Sequence, residues 1–247
     1  MNIIVLKFGG SSISTKDKLC KVAKKVGQFI EKGYKVVTVL SAQGKMTDKL
    51  LKDALTLDDR PNKRDLDMLL STGEQISCSK FSIVLNGMGY SSIALTGGQA
   101  GIITSSDFTN AKIMSIYTDR ILSEFKSHEA VNIAGFQGID IENNITTMGR
   151  NGSDITAVAL AAALKLKECY IFTDVDGIYD KDPNQNITAK KYERLSYDEA
   201  RKIVENGAAI LHKRCLDIAE KYNVKINVLS CFNKKERNID RINCKKF

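Results

Sequence analysis

The sequence predicts an α/β fold in which a mainly parallel central sheet is covered by helices on both faces. Three observations carry that expectation. Six short runs, "NIIVLKF", "KVVTVLS", "SSIALTG", "AVNIAGF", "CYIFTDV" and "VKINVLS", are almost continuously apolar and rich in Val and Ile. Strands that bury one face alternate apolar with polar residues, whereas strands covered on both faces read as unbroken apolar runs. Segments of helical period lie between most of these runs, the order that gives crossover connections and a parallel sheet.

The elements follow in chain order. Thr15 to Lys32 sets Leu19, Val22, Ala23, Val26 and Ile30 at helical spacing. Behind "KVVTVLS", the stretch "SAQGKMTDKLL" leads into a helix that Thr47 or Asp48 would cap. Asp65 to Leu85 is helical in period, with Leu66, Leu69, Leu70, Ile76, Phe81 and Val84, but Ser71-Thr72-Gly73 interrupts the pattern. Ser153 to Leu166 reads as an Ala/Leu-rich helix, and Ser196 to Asn206 and Lys213 to Tyr222 as two more. With only Pro61 and Pro183, no proline-rich linker divides the chain, and no internal repeat is visible. A chain of 247 residues suits one large domain or two packed lobes. The expectation is one domain over 1–232, with two lobes of about 1–145 and 146–232, and a basic tail at 233–247.

Composition removes several classes. The six cysteines (Cys20, Cys78, Cys169, Cys215, Cys231, Cys244) show neither metal-ligand nor C-x-x-C spacing. Reduced thiols in a cytoplasm follow. The N-terminus lacks a basic region followed by an apolar core, and no apolar run reaches the ~20 residues that span a bilayer. Net charge is +8, but residues 233–247 alone carry +4. The remainder is spread along helices without interleaved aromatics, which argues against nucleic acid and is compatible with small anionic ligands. His128 and His212 stand near no serine or cysteine motif, so no nucleophilic triad is expected.

In a parallel sheet, ligands lie beyond the carboxyl ends of the strands. The functional residues are therefore expected just after the apolar runs. In "VLKFGGSS", Gly9 and Gly10 let amide groups converge on an anion and Lys7 could reach it; a plain turn is the alternative. Ser41 and Thr47 could hold a carboxylate, or Thr47 could simply cap. Glu74 could face a ligand ammonium, or could favour a nearby helix start by charge alone. "GRNGSD" combines Arg150, whose fork matches a carboxylate, with Ser153 and Asp154 at a helix start. Asn151 is a residue that tolerates the left-handed conformation. "IFTDVDGIYDKDP" departs from the spacing of a calcium loop and suits either a ribose and base edge or a capped turn.

Taken in order, "KFGGSS", "MLLSTGEQIS", "TGGQAGI", "AGFQG", "TTMGRNGSDITAVALAAAL" and "TDVDGIYDKDP", continued by "LSYDEA" and "GAAILH", resemble the aspartate kinases of the amino acid kinase family. The likeness runs from Lys7 to about Ser230. It implies a three-layer α/β/α sandwich and phosphoryl transfer from ATP to the β-carboxylate of L-aspartate, the first step of lysine, threonine and methionine biosynthesis. Mg2+ would be held mainly by ATP. A carboxylate is already ionised at neutral pH, so such a reaction needs positioning and charge neutralisation, not a general base.

The resemblance further implies that Lys7, Gly9, Gly10 and Ser11 hold the ATP phosphates and that Asp154 orients Lys7. Arg150 with Ser153 would take the substrate α-carboxylate, Glu74 the α-ammonium, and Ser41 and Thr47 would flank the reacting carboxylate. Thr173, Asp174 and Tyr179 would contact the nucleotide. It implies a cytoplasmic homodimer. Two cations of the family pattern are replaced, by Ala209 and Asn184, and Lys213, four residues past Ala209, would lie on the same helical face and partly substitute. These replacements leave open a binding-only relative or a kinase for another acid. The tandem ACT domains common in the family are not expected here, nor feedback through them.

Overall fold

The computed structural model describes residues 1–180, 186, 188–205 and 211–232. Asn184, Ala209 and the basic tail lie outside the described residues. In chain order the strands and helices are β1 (Ile3–Phe8), α1 (Lys16–Glu31), β2 (Lys35–Leu40), α2 (Met46–Leu57), α3 (Lys63–Gly87), β3 (Ser92–Leu95), β4 (Ile102–Thr104), β5 (Ile113–Ile116), α4 (Asp119–Glu124), β6 (Ala130–Ala134), β7 (Gln137–Ile139), β8 (Ile145–Thr147), α5 (Gly152–Ala163), β9 (Glu168–Thr173), β10 (Ile178–Tyr179), β11 (Lys191–Tyr192), α6 (Tyr197–Glu205), α7 (Lys213–Lys221) and β12 (Lys225–Ser230).

The six apolar runs form one six-stranded sheet in the order β12-β9-β1-β2-β6-β3. Every pairing in it is parallel. Side chains alternate between two cores. Val5, Val37, Val39, Val131, Ile133 and Ile171 pack with Ile155, Val158, Leu160 and Leu216 of α5 and α7. Ile4, Leu6, Phe8, Val36 and Leu40 pack with Leu19, Val22, Val26, Phe81 and Leu85 of α1 and α3. Two apolar faces on one sheet require a helical layer on each, giving the three-layer α/β/α sandwich. Phe8 stacks on Phe172 at 5.0 Å across the strand pair. Each fully buried side chain of this kind contributes roughly 1.5–3 kcal/mol.

A second sheet, ordered β5-β4-β7-β8, is mixed, and β10 pairs with β11 as a small antiparallel ribbon. The strands of the second sheet have three or four residues each. No helix among the described residues is long and apolar enough to cross a membrane. Five cysteines fall among the described residues, and none of them is joined in a disulfide.

One local expectation gains detail and two change. First, "VLKFGGSS" runs into a single 3-10 turn, Gly10–Ile13, and α1 begins only after Thr15, whose hydroxyl accepts from the Lys18 amide. Second, Thr47 does not cap α2. The helix starts at Met46, with Lys45 at its cap position and no side-chain cap bond. Third, Ser71-Thr72-Gly73 does not interrupt α3, which runs unbroken for 25 residues. Gly73 serves close packing, because a Cβ there would lie 3.0 Å from the Ala42 Cβ. Glu74 is therefore mid-helix, where the helix-start dipole gives it nothing. In addition, His212 is extended and its side chain caps α7 by accepting from the Arg214 amide. Lys213 thus opens a new helix behind an extended residue, and the expectation that it shares a helical face with Ala209 falls outside the described residues.

Candidate active site

The site stands on the carboxyl edge of the six-stranded sheet. β1 delivers Lys7 one residue before its end, where the Nζ lies 2.6 Å from Asp154 Oδ1. Lys7 is 8% exposed and Asp154 5%, so the ion pair is nearly dry. Asp154 reaches it from the first turn of α5, which sits over β1. Beyond Lys7, Gly9 donates its amide to Phe172 O at 3.2 Å, joining the turn to β9. A Cβ on Gly9 would sit 3.6 Å from the Lys7 Nζ, so the turn lies directly over the lysine.

Gly10 binds this turn to the segment after β2. Its carbonyl accepts from the Gly44 amide, and a Cβ on it would come within 2.3 Å of Ala42 O. The amides of Gly10 and Ser11 are the first of the 3-10 turn and have no partner within it. Ser11 is exposed, and its carbonyl accepts from Lys18 Nζ at 2.9 Å.

The same segment after β2 meets Glu74. The Ala42 amide donates to Glu74 Oε1 at 3.1 Å, while Oε2 is buried without a partner. The residue is 3% exposed. Burial raises its carboxyl pKa to about 8 against the opposing pull of the Ala42 amide. Ser41 is half-buried, donates its amide to Phe8 O, and its carbonyl accepts from Ser77 Oγ of α3. Thr47 is half-buried in the first turn of α2.

On the opposite side, α5 begins at Gly152 behind Asn151, which adopts φ 56°, ψ 23°. Ser153 packs against the end of β6, since a Cβ on Gly135 would fall 2.8 Å from its Oγ. Phe136, with φ 69°, is held by the Thr156 hydroxyl, which accepts from its amide. Arg150 stands exposed on the turn between β8 and α5. Thr173 ends β9 and donates to Asp174 Oδ1 at 2.9 Å. Tyr179 lies farther out on β10, its hydroxyl bonded to Asp176, which also pairs with Lys191.

The direct contacts thus gather Lys7, Gly9, Gly10, Ser41, Glu74, Ser153 and Asp154 around the ends of β1, β2 and β6, with Thr173 and Asp174 at the end of β9. No hydrogen bond or ion pair joins Arg150 or Tyr179 to that group among the described residues.

Residues 2–230 match the amino acid kinase family. The chain belongs to the amino acid kinase family. An aspartokinase of Bacillus sp. strain MGA3 is 44% identical over 239 residues, covering 97% of this chain and 58% of that protein. An aspartate kinase structure from Synechocystis superposes with a TM-score of 0.83 at 37% identity, over 94% of this chain and 38% of that one. E. coli aspartokinase III, solved with aspartate and ADP, shares the fold at a TM-score of 0.81 and 24% identity, over 93% of this chain and 62% of that one. This amino acid kinase chain spans little more than half the length of the curated relatives it matches.

Several site-supporting residues of this family member had no distinct signal in the sequence. Ala42 contributes an amide, which side-chain identity does not report. Asp67 and Gln137 are polar but fully buried. Arg214, at the start of α7, donates from Nη1 to Ala111 O at 3.0 Å and from Nη2 to Asn110 Oδ1 at 3.1 Å and to Met148 O. The one available hint was the placement of Asp67 and Arg214 inside or beside quoted motifs, which periodicity alone treats as solvated helix faces.

Proposed function

We propose that this chain transfers the γ-phosphoryl group of ATP to the β-carboxylate of L-aspartate, yielding 4-phospho-L-aspartate and ADP. The observation that carries the reading is Glu74 Oε2, a carboxylate oxygen buried without a partner beside the carboxyl edge of the sheet. A group so placed is costly unless a ligand supplies a donor. An α-ammonium supplies both charge and donors. Arg150, exposed on the neighbouring turn, is the fork for the α-carboxylate, with Ser153 assisting, and Ser41 and Thr47 flank the side-chain carboxylate.

On the nucleotide side, Lys7 provides positive charge and Asp154 fixes its direction. The Gly9–Ser11 turn contributes the Gly10 and Ser11 amides, and Thr173, Asp174 and Tyr179 line the approach. ATP supplies the phosphoryl group, with magnesium carried on its phosphate oxygens and water. Among the described residues no three His, Cys, Asp or Glu side chains converge as a metal cage. A bond forms between a β-carboxylate oxygen and the γ-phosphorus as the bond to the bridging oxygen breaks. No proton is transferred, so the protein's work is to align the acceptor and neutralise repulsion. The substrate side at 1–145, the nucleotide side at 146–232, a homodimer and a cytoplasmic location belong to the same proposal; Lys7 and the Gly9–Ser11 turn cross that division in one direction and Arg150 and Ser153 in the other.

A coupled ADP-release assay tests the reading, with hydroxylamine trapping to identify the acyl phosphate. L-Aspartate is expected to support turnover, and N-acetyl-L-aspartate, which lacks the ammonium, is not. ATP binding without turnover points instead to a binding-only relative. Turnover with another acid alone points to a different substrate.

A further inference from the structure

Asp67 is a carboxylate with no exposure, placed on α3 two helical turns before Glu74. It accepts three hydrogen bonds. The Thr109 and Thr147 amides donate to Oδ2 at 2.9 and 2.7 Å, and the Thr147 hydroxyl donates to Oδ1 at 2.6 Å. Thr147 is the last residue of β8, three positions before Arg150. Thr109 has φ 70°, and its carbonyl lies 3.2 Å from where a Cβ of Gly149 would stand. A left-handed threonine is strained and persists only when its surroundings hold it. Asp67 therefore fastens, from one point, both the end of the strand that leads into Arg150 and the loop that packs on Gly149. Ala111 N, donating to Thr147 O at 2.8 Å, closes the arrangement.

Two features separate this from ordinary packing. Both backbone amides donate to the same oxygen, so an amide at residue 67 would have to keep its oxygen there, turn its NH2 toward the Thr147 hydroxyl and force that hydroxyl to accept instead of donate, while the acceptor loses the charge that strengthens all three bonds. And α3 also carries Glu74. Seven residues on a helix span about 10 Å, so Asp67 sets where the Arg150 turn begins relative to Glu74 along a rigid rod.

We propose that Asp67 is a positioning residue that fixes the spacing between the Arg150 turn and Glu74, and through that spacing selects L-aspartate over longer acidic amino acids. The inference rests on the aspartate-phosphorylating reading above. If the two ends of the clamp are held rigidly, the reacting carboxylate of a four-carbon acid meets the phosphoryl group, whereas the extra methylene of L-glutamate displaces it. Misplacement by ~1 Å can cost as much as ~10²-fold.

The test compares the unsubstituted chain with Asp67→Asn and Thr147→Val, using L-aspartate, L-glutamate and ATP as varied substrates. Thr147→Val keeps the amide bond and shape and removes only the hydroxyl. Asp67→Asn is expected to raise KM for L-aspartate about ten-fold and to shrink the preference for L-aspartate over L-glutamate, with KM for ATP held within about two-fold. Thr147→Val is expected to shift the same quantities by about three-fold. A fall in Tm with the aspartate-to-glutamate ratio and the KM for L-aspartate unchanged in both variants overturns the inference while leaving the reading intact. Absence of L-aspartate turnover in the unsubstituted chain overturns the reading, and this inference with it.

Discussion

Lys7 and Asp154, 147 positions apart, meet at 2.6 Å in a nearly dry environment at the end of β1. Removing one member of such a pair strands a charge, at a cost of about 3–5 kcal/mol, whereas removing both costs much less. Lys7→Met and Asp154→Asn are therefore expected to be strongly non-additive in thermal unfolding, with a coupling energy of about 1–3 kcal/mol in a double-mutant cycle. Activity separates the roles. Lys7→Met is expected to lose ~10²–10³ in kcat as a missing phosphate-side cation. Additive stabilities would show that the pair is not energetically coupled.

Glu74 makes pH the natural handle on the amino-acid side. Its folded-state pKa is raised to about 8 by burial, above the usual 4.5. The unfolded chain therefore releases this proton first, so stability is lost as pH climbs from about 4.5 to about 8, and the full penalty is present above that. Glu74→Gln removes the titration. Its Tm relative to the parent is expected to rise across that window, with a gain on the order of 5 kcal/mol at pH 9 compared with pH 4. Bound ammonium favours the ionised carboxylate, so L-aspartate binding at pH 7 is expected to release a proton. Calorimetry in buffers of different ionisation enthalpy measures it. A flat Tm difference between pH 4 and 9 would remove Glu74 as the titrating group.

What the sequence disclosed follows from what its residues must satisfy. A strand covered on both faces has to be apolar throughout, so all six strands of the main sheet were visible as runs. The second sheet was not visible, because strands of three or four residues give too few positions for a period to emerge. The left-handed state of Asn151 followed from residue type. Gly73, by contrast, resembled a helix interruption, because a glycine needed for close approach and one that breaks a helix look alike until the partner, Ala42, is placed. Asp67 was opaque for a related reason. A charged residue on a helix reads as solvated, and only the approach of β8 from 80 residues away buries it.

Arg214 offers a prediction about how α7 supports the substrate turn. Its guanidinium reaches Ala111 O, Asn110 Oδ1 and Met148 O together. A lysine ammonium is a point donor and cannot reproduce that fork. Arg214→Lys is expected to cost about 1–2 kcal/mol, lowering Tm by roughly 2–8 °C, and Arg214→Gln somewhat more. Differential scanning fluorimetry resolves the difference. Equal Tm for arginine and lysine would show that the fork geometry is dispensable.

Asn151 supplies the clearest backbone test, because it stands next to Arg150 and its own side chain makes no cap bond. At φ 56°, ψ 23° an L-residue places its Cβ against the following carbonyl, a cost of roughly 1–2 kcal/mol for most residues, reduced for asparagine and absent for glycine. Asn151→Gly is expected to keep Tm within about 1–2 °C of the parent and leave the KM for L-aspartate nearly unchanged. Asn151→Val, branched at Cβ and poorly tolerated in this region, is expected to lose at least about 1 kcal/mol or to drive the turn out of shape. In the second case the arginine beside it moves, and the KM for L-aspartate rises while the KM for ATP does not. A valine variant equal to the parent in both Tm and KM would mean that the turn does not need the left-handed conformation at this residue.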